Sequence, residues 1–102
     1  MNKYDIYSAI VPYEEGGSEK ERPVLILNNV AMIITALKIT SQGKSSITQY
    51  RIKDWVGAGL TKESYIYIDK TIKLENKQIG KKIGELQIGD VFALESLLLS
   101  RK

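Results

Sequence analysis

The sequence predicts a small, mostly β domain, a barrel of five or six short strands closed by one C-terminal helix. Short runs of alternating or β-branched apolar residues, separated by turns rich in Gly, Asn and Pro, fill the chain up to about residue 83. From Ile88 onward the apolar residues instead recur at helical spacing. The 102 residues contain no repeat or linker, so we expect a single domain.

The first two strands frame a polar loop. Tyr4 to Val11 alternates bulky and small residues and predicts the first strand. A charged loop broken by Gly16-Gly17 is predicted to run as far as Arg22. Pro23 fixes its own φ and favours an extended Arg22, and with the apolar run that follows it predicts a second strand over Arg22–Leu27. Arg22 is therefore expected at the mouth of a core strand, where its head group can meet an anion.

The middle of the chain predicts four further strands separated by turns. These strands span Ala31–Thr40, Ile47–Ile52, Ser64–Asp69 with a continuation toward Leu74, and Gln78–Ile83. Turns are predicted at Asn28-Asn29, around Gly43 and from Glu75 to Lys77. The segment after Asp54 predicts one helical turn closed by glycine, at Gly57-Ala58-Gly59.

The C-terminal segment predicts one amphipathic helix. Its apolar positions are Val91, Leu94 and Leu98, with Ile88, Phe92 and Leu99 beside them. Asp90 near the start and Arg101 and Lys102 near the end suit the helix dipole. The apolar face is wide, which predicts core packing and leaves room for a partner subunit.

The composition excludes several kinds of chemistry. The chain has no cysteine and no histidine, so disulfides, thiol nucleophiles and histidine-based catalysis are excluded, as are the usual zinc sites. A net charge of +3 and a pI near 9.1 are compatible with a polyanionic partner without requiring one. No apolar run reaches the ~20 residues of a membrane span, and no signal peptide is evident. We therefore expect a cytoplasmic protein.

Short stretches along nearly the whole chain form an ordered set. They are Asp5-Ile6-Tyr7, Pro12-Tyr13, Gly17-Ser18-Glu19, Arg22-Pro23-Val24-Leu25, Ile39-Thr40-Ser41-Gln42, Ile52-Lys53-Asp54-Trp55, Ala58-Gly59-Leu60, Lys62, Ser64-Tyr65, Ile68-Asp69-Lys70 and Lys82-Ile83-Gly84-Glu85-Leu86. Together they resemble the PemK/MazF-like toxins of type II toxin–antitoxin systems. The chain departs from that pattern at Glu63, where a proline is common, at Tyr4, where a glycine is usual, and in its short loop before Arg22.

The resemblance implies an SH3-like β-barrel that acts as a homodimer and cleaves single-stranded RNA without a metal or other cofactor. It also implies a small cognate antitoxin with an acidic or amphipathic tail that folds on binding. In the family, the positions of Arg22 and Thr40 carry the chemistry.

The residue types fit that chemistry. RNA supplies its own nucleophile, the 2′-hydroxyl, so the protein has to position the phosphodiester and stabilise its transition state. Arg22 offers a planar fork of donors that matches phosphate oxygens, and Thr40 offers a hydroxyl donor. Glu19 is the nearby carboxylate: it could act as the base, orient Arg22, or be a solvated loop acid.

Nucleotide contacts are expected beside this pair. The candidates are Ser18, Lys20, Ser41, Gln42 and Lys44. Tyr13 and Tyr50 are alternatives for stacking on bases, whereas Tyr65 and Tyr67 share a strand face and are expected to pack.

Two other functions remain open. A toxin of the same fold could poison a protein target such as a topoisomerase, and a silent barrel could bind RNA without cutting it. The presence of both Arg22 and Thr40 favours the ribonuclease, because a poison that only binds protein does not need that pair.

Overall fold

The computed structural model describes residues 1–12, 19–44 and 46–100, which form an antiparallel sheet and one C-terminal helix. The strands are β1 (Asp5–Pro12), β2 (Glu19–Val30), β3 (Ile33–Thr40), β4 (Gln49–Arg51), β5 (Tyr65–Tyr67), β6 (Ile72–Leu74) and β7 (Ile79–Glu85). A 3₁₀ turn covers Asn76–Gln78, and helix α1 covers Ile88–Ser100. The predicted β-rich architecture with a terminal helix is confirmed.

The sheet follows an open path. Its strand order is β4-β5-β3-β2-β1-β7, and β6 pairs with the first half of β3. In the described part of the chain the end strands β4 and β7 are not hydrogen-bonded to each other. The mostly β class is therefore confirmed, but closure of the sheet into a barrel is not.

Two hydrophobic cores lie on opposite faces of the central strands. The main core contains Ile6, Leu25, Leu37, Ile39, Tyr50, Ile52, Ala58, Leu60, Ile66, Ile68, Leu86 and Leu94. The satellite core contains Ala9, Val11, Val24, Ile26, Ile34, Ala36 and Leu74. Because successive strand residues point to opposite faces, the continuous apolar run in β2 supplies both cores.

Helix α1 covers the main core. Leu94 is fully buried, and Val91 and Leu98 pack against the same cluster. The helix begins at the predicted residue, while Arg101 and Lys102 lie outside the described residues. No helix in the described ranges is long and apolar enough to cross a bilayer.

The predicted boundaries of β2 were wrong at both ends. Instead of beginning at Arg22, the strand begins at Glu19, because β1 extends far enough to pair Val11 with Lys20 and Ala9 with Arg22. Asn28-Asn29 is not a turn but part of the strand, next to a bulge. The chain turns instead at Ala31 and Met32, which have φ values of 53° and 67°.

The predicted continuation of the fifth strand toward Leu74 was also wrong. β3 pairs with β6 through Ile34–Ala36 and with β5 through Ile39 and Thr40. β3 is therefore paired with two short strands, β5 and β6, rather than with one long strand. The predicted helical turn after Asp54 is confirmed by a hydrogen bond from the Ala58 N–H to the Asp54 carbonyl at 3.1 Å, and Gly59 closes it with φ 90°.

Asp90 ties the helix to the sheet. Its carboxylate is only 2% exposed and accepts hydrogen bonds from the Tyr50 hydroxyl and from the backbone N–H groups of Lys53 and Asp54, the latter two at 2.9 Å. Burial and the hydrogen bond to Asp90 raise the pKa of Tyr50 above its usual range. Asp90 therefore fixes the end of β4 against the first turn of α1.

We expect Asp90→Ala to lower the free energy of unfolding by about 3 kcal/mol, because it leaves buried donors without an acceptor. Urea denaturation of the purified variant measures this effect. Asp69→Ala is the matched control, since Asp69 is exposed. Equal stability losses in the two variants would show that the buried carboxylate does not hold the helix and β4 together.

Candidate functional site

Arg22 and Thr40 are brought together by the register of β2 and β3. The ladder pairs Val24 with Lys38 and Leu25 with Leu37. Continued by two residues, this register aligns Arg22 with Thr40. The ladder itself ends at the Val24–Lys38 pair, next to Pro23, which has no N–H to extend it. Residues opposite each other on antiparallel strands project to the same face, so both side chains belong to one surface.

The Thr40 side chain is held in a defined position. Its Oγ1 accepts a hydrogen bond from the Gln42 N–H at 3.1 Å. This bond uses a lone pair of the hydroxyl and leaves its hydrogen to be donated elsewhere. Thr40 and Arg22 are both half-buried at the end of the packed strands. The surface that these two residues share thus carries a hydroxyl donor and a guanidinium.

The surface that carries this pair extends across β3, β5 and β4. On these strands, Ile39, Tyr50 and Ile66 point into the main core, so their immediate neighbours project from the opposite face. We call these neighbours the outer face. Together with Arg22 on β2, they form a first row of Arg22, Thr40, Tyr65 and Arg51, and a second row of Lys38, Tyr67 and Gln49. With strands ~4.8 Å apart, the first row spans roughly 15 Å.

The segment after Thr40 folds back onto the outer face. The Lys44 N–H donates to Gln49 Oε1 at 2.9 Å. A Cβ added to Gly43 would lie 2.5 Å from ring atoms of Tyr65, so only glycine lets the backbone rest on that ring. Tyr65 thus anchors the segment that carries Gln42 and Lys44.

The outer face carries several cations. The Lys38 ammonium lies 5.6 Å from the centre of the Tyr67 ring. Arg51 forms an ion pair with Glu63 at 2.6 Å, and both side chains are about half exposed. Such an exposed pair is worth little, so a phosphate can compete for the guanidinium. Glu63, the departure noted above, therefore partners one of these cations. In the described ranges no three acidic side chains are grouped as metal ligands.

The other predicted site residues are only partly described. Lys20 is exposed and shares the face of Arg22, two residues away on β2. Ser41, Gln42 and Lys44 are exposed beside Thr40. Ser18, Tyr13 and the side chain of Glu19 lie outside the described residues, so the structure gives no position for the candidate carboxylate.

One interpretation of the tyrosines was wrong. Tyr50 cannot stack on a base, because it is buried in the main core with its hydroxyl on Asp90. Tyr65 and Tyr67 were expected to pack: Tyr65 packs against Gly43, and Tyr67 is half-buried with its ring next to the Lys38 ammonium. The sequence reasoning also missed Lys38 and Arg51. For Tyr65 and Tyr67 the sequence did carry a signal, because they alternate with the buried residues Ile66 and Ile68 and must therefore lie on the outward face.

Nearly the whole chain matches one family of known proteins. The family model of the PemK-like, MazF-like toxins of type II toxin–antitoxin systems matches residues 2–100. The chain therefore belongs to this toxin family. No curated protein sequence matches it.

Solved structures share the fold. A mycobacterial endoribonuclease solved in complex with its cognate antitoxin has a TM-score of 0.77 and 17% identity, over 98% of this chain and 92% of that one. For the Mycobacterium tuberculosis toxin MazF-mt6 the TM-score is 0.71 and the identity 23%, over 92% and 93% of the two chains. A chain of a MazE–MazF crystal structure from Deinococcus radiodurans has a TM-score of 0.75 and 15% identity, over 99% of this chain and 94% of that one. At these identities the likeness is one of fold.

Proposed function

We propose that this single-domain toxin is an endoribonuclease that cleaves single-stranded RNA through the 2′-hydroxyl adjoining the scissile phosphate. The observation that carries the proposal is the β2–β3 register, which aligns Arg22 with Thr40 on a cation-bearing face. Membership of the toxin family supports it. A poison directed at a protein target has no evident use for this pair of phosphate donors.

The roles follow from the donor geometry. Arg22 binds the non-bridging oxygens of the phosphodiester through its planar fork, and Thr40 donates its hydroxyl hydrogen to the same group. Both donors are in place before the reaction, so they stabilise the charge that develops in the pentavalent transition state. The nucleophile belongs to the substrate, and the protein contributes position and charge.

The proton acceptor for the 2′-hydroxyl is assigned by chemistry alone. An arginine side chain is a poor base, since its pKa lies above ~12. Glu19 supplies a carboxylate three residues before Arg22 and is our candidate, either as the base or as the group that orients Arg22. Ser18, Lys20, Ser41, Gln42 and Lys44 are proposed to contact the flanking nucleotides.

We propose a homodimer as the active form. The outward side of α1 exposes Ile88, Phe92 and Leu99, each between 65% and 72%. Apolar side chains that recur along one helix face in this way suit contact with a second subunit.

A small cognate antitoxin is the proposed inhibitor. Relatives of the same fold have been solved with such partners, as the mycobacterial complex and the MazE–MazF structure illustrate. The cations around the site, including Lys20 and Lys44, would attract an acidic peptide. The test is to search the reading frames beside this gene for a small acidic protein and to measure RNA cleavage with that protein added: loss of cleavage would support the assignment, and unchanged cleavage would contradict it.

Cleavage of single-stranded RNA is expected to persist in EDTA, because the substrate supplies the nucleophile and the protein supplies the charge. The products should carry a 5′-hydroxyl and a 2′,3′-cyclic phosphate or the 3′-phosphate formed by its opening. End-group analysis by mass spectrometry measures this. A requirement for Mg²⁺ with 5′-phosphate products, or equal cleavage of an all-deoxy strand, would contradict the mechanism. RNA binding without cleavage would favour the silent barrel.

Arg22→Ala and Thr40→Ala should each lower kcat by at least about 100-fold, the usual effect of removing one preorganised donor. Arg22→Lys should not restore activity, since lysine keeps the charge but loses the two-point fork. Turnover of a fluorescent RNA measures these rates. Thr61→Ala, at an exposed threonine, is the control. Near-normal turnover by Arg22→Lys would show that Arg22 acts only through its positive charge and would contradict the two-point role.

A further inference from the structure

The second row of the outer face holds an aromatic ring next to a cation. Lys38 and Tyr67 lie opposite each other when the β3–β5 pairing of Ile39 with Ile66 is continued by one residue. The Lys38 ammonium stands 5.6 Å from the centre of the Tyr67 ring. Lys38 precedes Thr40 by two residues on the same strand face, so the ring adjoins the candidate reaction site.

Tyr67 is not needed to fill a core. Its neighbours Ile66 and Ile68 are 0% and 6% exposed and supply the buried side of β5, whereas Tyr67 itself is half-buried on the outer face. Tyr65 differs, because the Gly43 backbone rests on its ring. Of the two tyrosines, Tyr65 therefore anchors a loop, and Tyr67 carries its ring next to a lysine.

This arrangement matches the two parts of a nucleotide. Every base has a π face that stacks on an aromatic ring, and the adjoining phosphate is an anion that a lysine can bind. Arg22 and Arg51 extend the positive charge to either side along the first row. A peptide that offered only acidic side chains would contact the cations and leave the ring without a role.

We propose that Tyr67 stacks on a base of the bound RNA and that Lys38 binds the neighbouring phosphate. This inference rests on the proposed ribonuclease function and extends its site from the scissile phosphate across β3 and β5. Tyr67 is not aligned with Arg22 and Thr40, so its contribution is to substrate binding. Loss of the ring should raise KM and leave kcat nearly unchanged, which separates stacking from catalysis.

The test measures binding of a random-sequence 2′-fluoro RNA pool, which lacks the nucleophile and stays intact. Tyr67→Leu should weaken binding about 5- to 100-fold, the usual effect of losing one stacked base. Tyr67→Phe keeps the ring and should retain most of the affinity. Binding by Tyr67→Leu equal to that of the wild type would overturn the proposal, as would an equal loss in Tyr67→Phe.

Lys38→Ala should weaken binding to all sequences similarly. It should also lower the slope of the logarithm of the binding constant against the logarithm of the salt concentration by about one, as expected for the loss of one phosphate contact. Lys81→Ala is its matched control, because Lys81 is exposed on β7 at the far end of the sheet. Equal salt dependence of binding in the two variants would show that Lys38 does not contact a phosphate.

A cross-linking experiment keeps the proposal testable if Tyr67→Leu fails to fold. Wild-type protein irradiated with RNA containing 5-iodouridine should form an adduct on the peptide that contains Tyr67. Adducts confined to other peptides would overturn the stacking role. The outcome for the proposed function is separate. A protein that cleaves RNA but shows no dependence on Tyr67 loses only this inference, whereas Tyr67-dependent binding without any cleavage removes the ribonuclease.

Discussion

The register between β2 and β3 is the constraint on which the candidate site depends. Val24 and Ile26 fill the satellite core, while Leu25 between them fills the main core. A slip of one residue would move every one of these side chains into the wrong core. Packing on both faces therefore fixes the register strongly, and with it the alignment of Arg22 with Thr40 just beyond the packed part of the strands.

The positions of the remaining strands are set by pairing with β2 and β3 and by contact with the helix. β5 adds to the end of β3 and β4 adds to β5, which carries the outer face away from the satellite core. Asp90 holds the end of β4 against α1 through two backbone N–H groups and the Tyr50 hydroxyl. The main core is thus closed by the helix on one side, and the polar and aromatic side chains of β3, β4 and β5 remain at the surface on the other.

Much of this arrangement could be predicted from the sequence. Alternation in β5 and helical periodicity after Ile88 gave the correct element types, and the resemblance to the toxin family named Arg22 and Thr40 as a pair. The extent of β2 could not be predicted, because the polar residues from Glu19 to Arg22 have no strand pattern and are extended by pairing with β1. The turn at Ala31 and Met32 carries no glycine or asparagine signal at its positive-φ positions.

The outer face could not be predicted from the sequence for a different reason. Lys38, Tyr65 and Tyr67 become neighbours only through pairing between strands that are more than twenty residues apart in the chain. A periodic pattern shows which residues share a face of one strand, but not which strand lies next to it. The distinction between Tyr65 and Tyr67 depended on Gly43, whose contact with Tyr65 is visible only in three dimensions.

The central claim is that the register makes Arg22 and Thr40 act on one phosphodiester, and a double-mutant cycle tests it most directly. The measurement is kcat of RNA cleavage for wild-type protein, Arg22→Ala, Thr40→Ala and the double variant, each checked for folding. If the two donors serve the same transition state, the double variant should be hardly slower than the slower single variant. Strictly multiplicative losses would show that the two residues act independently and would contradict the account.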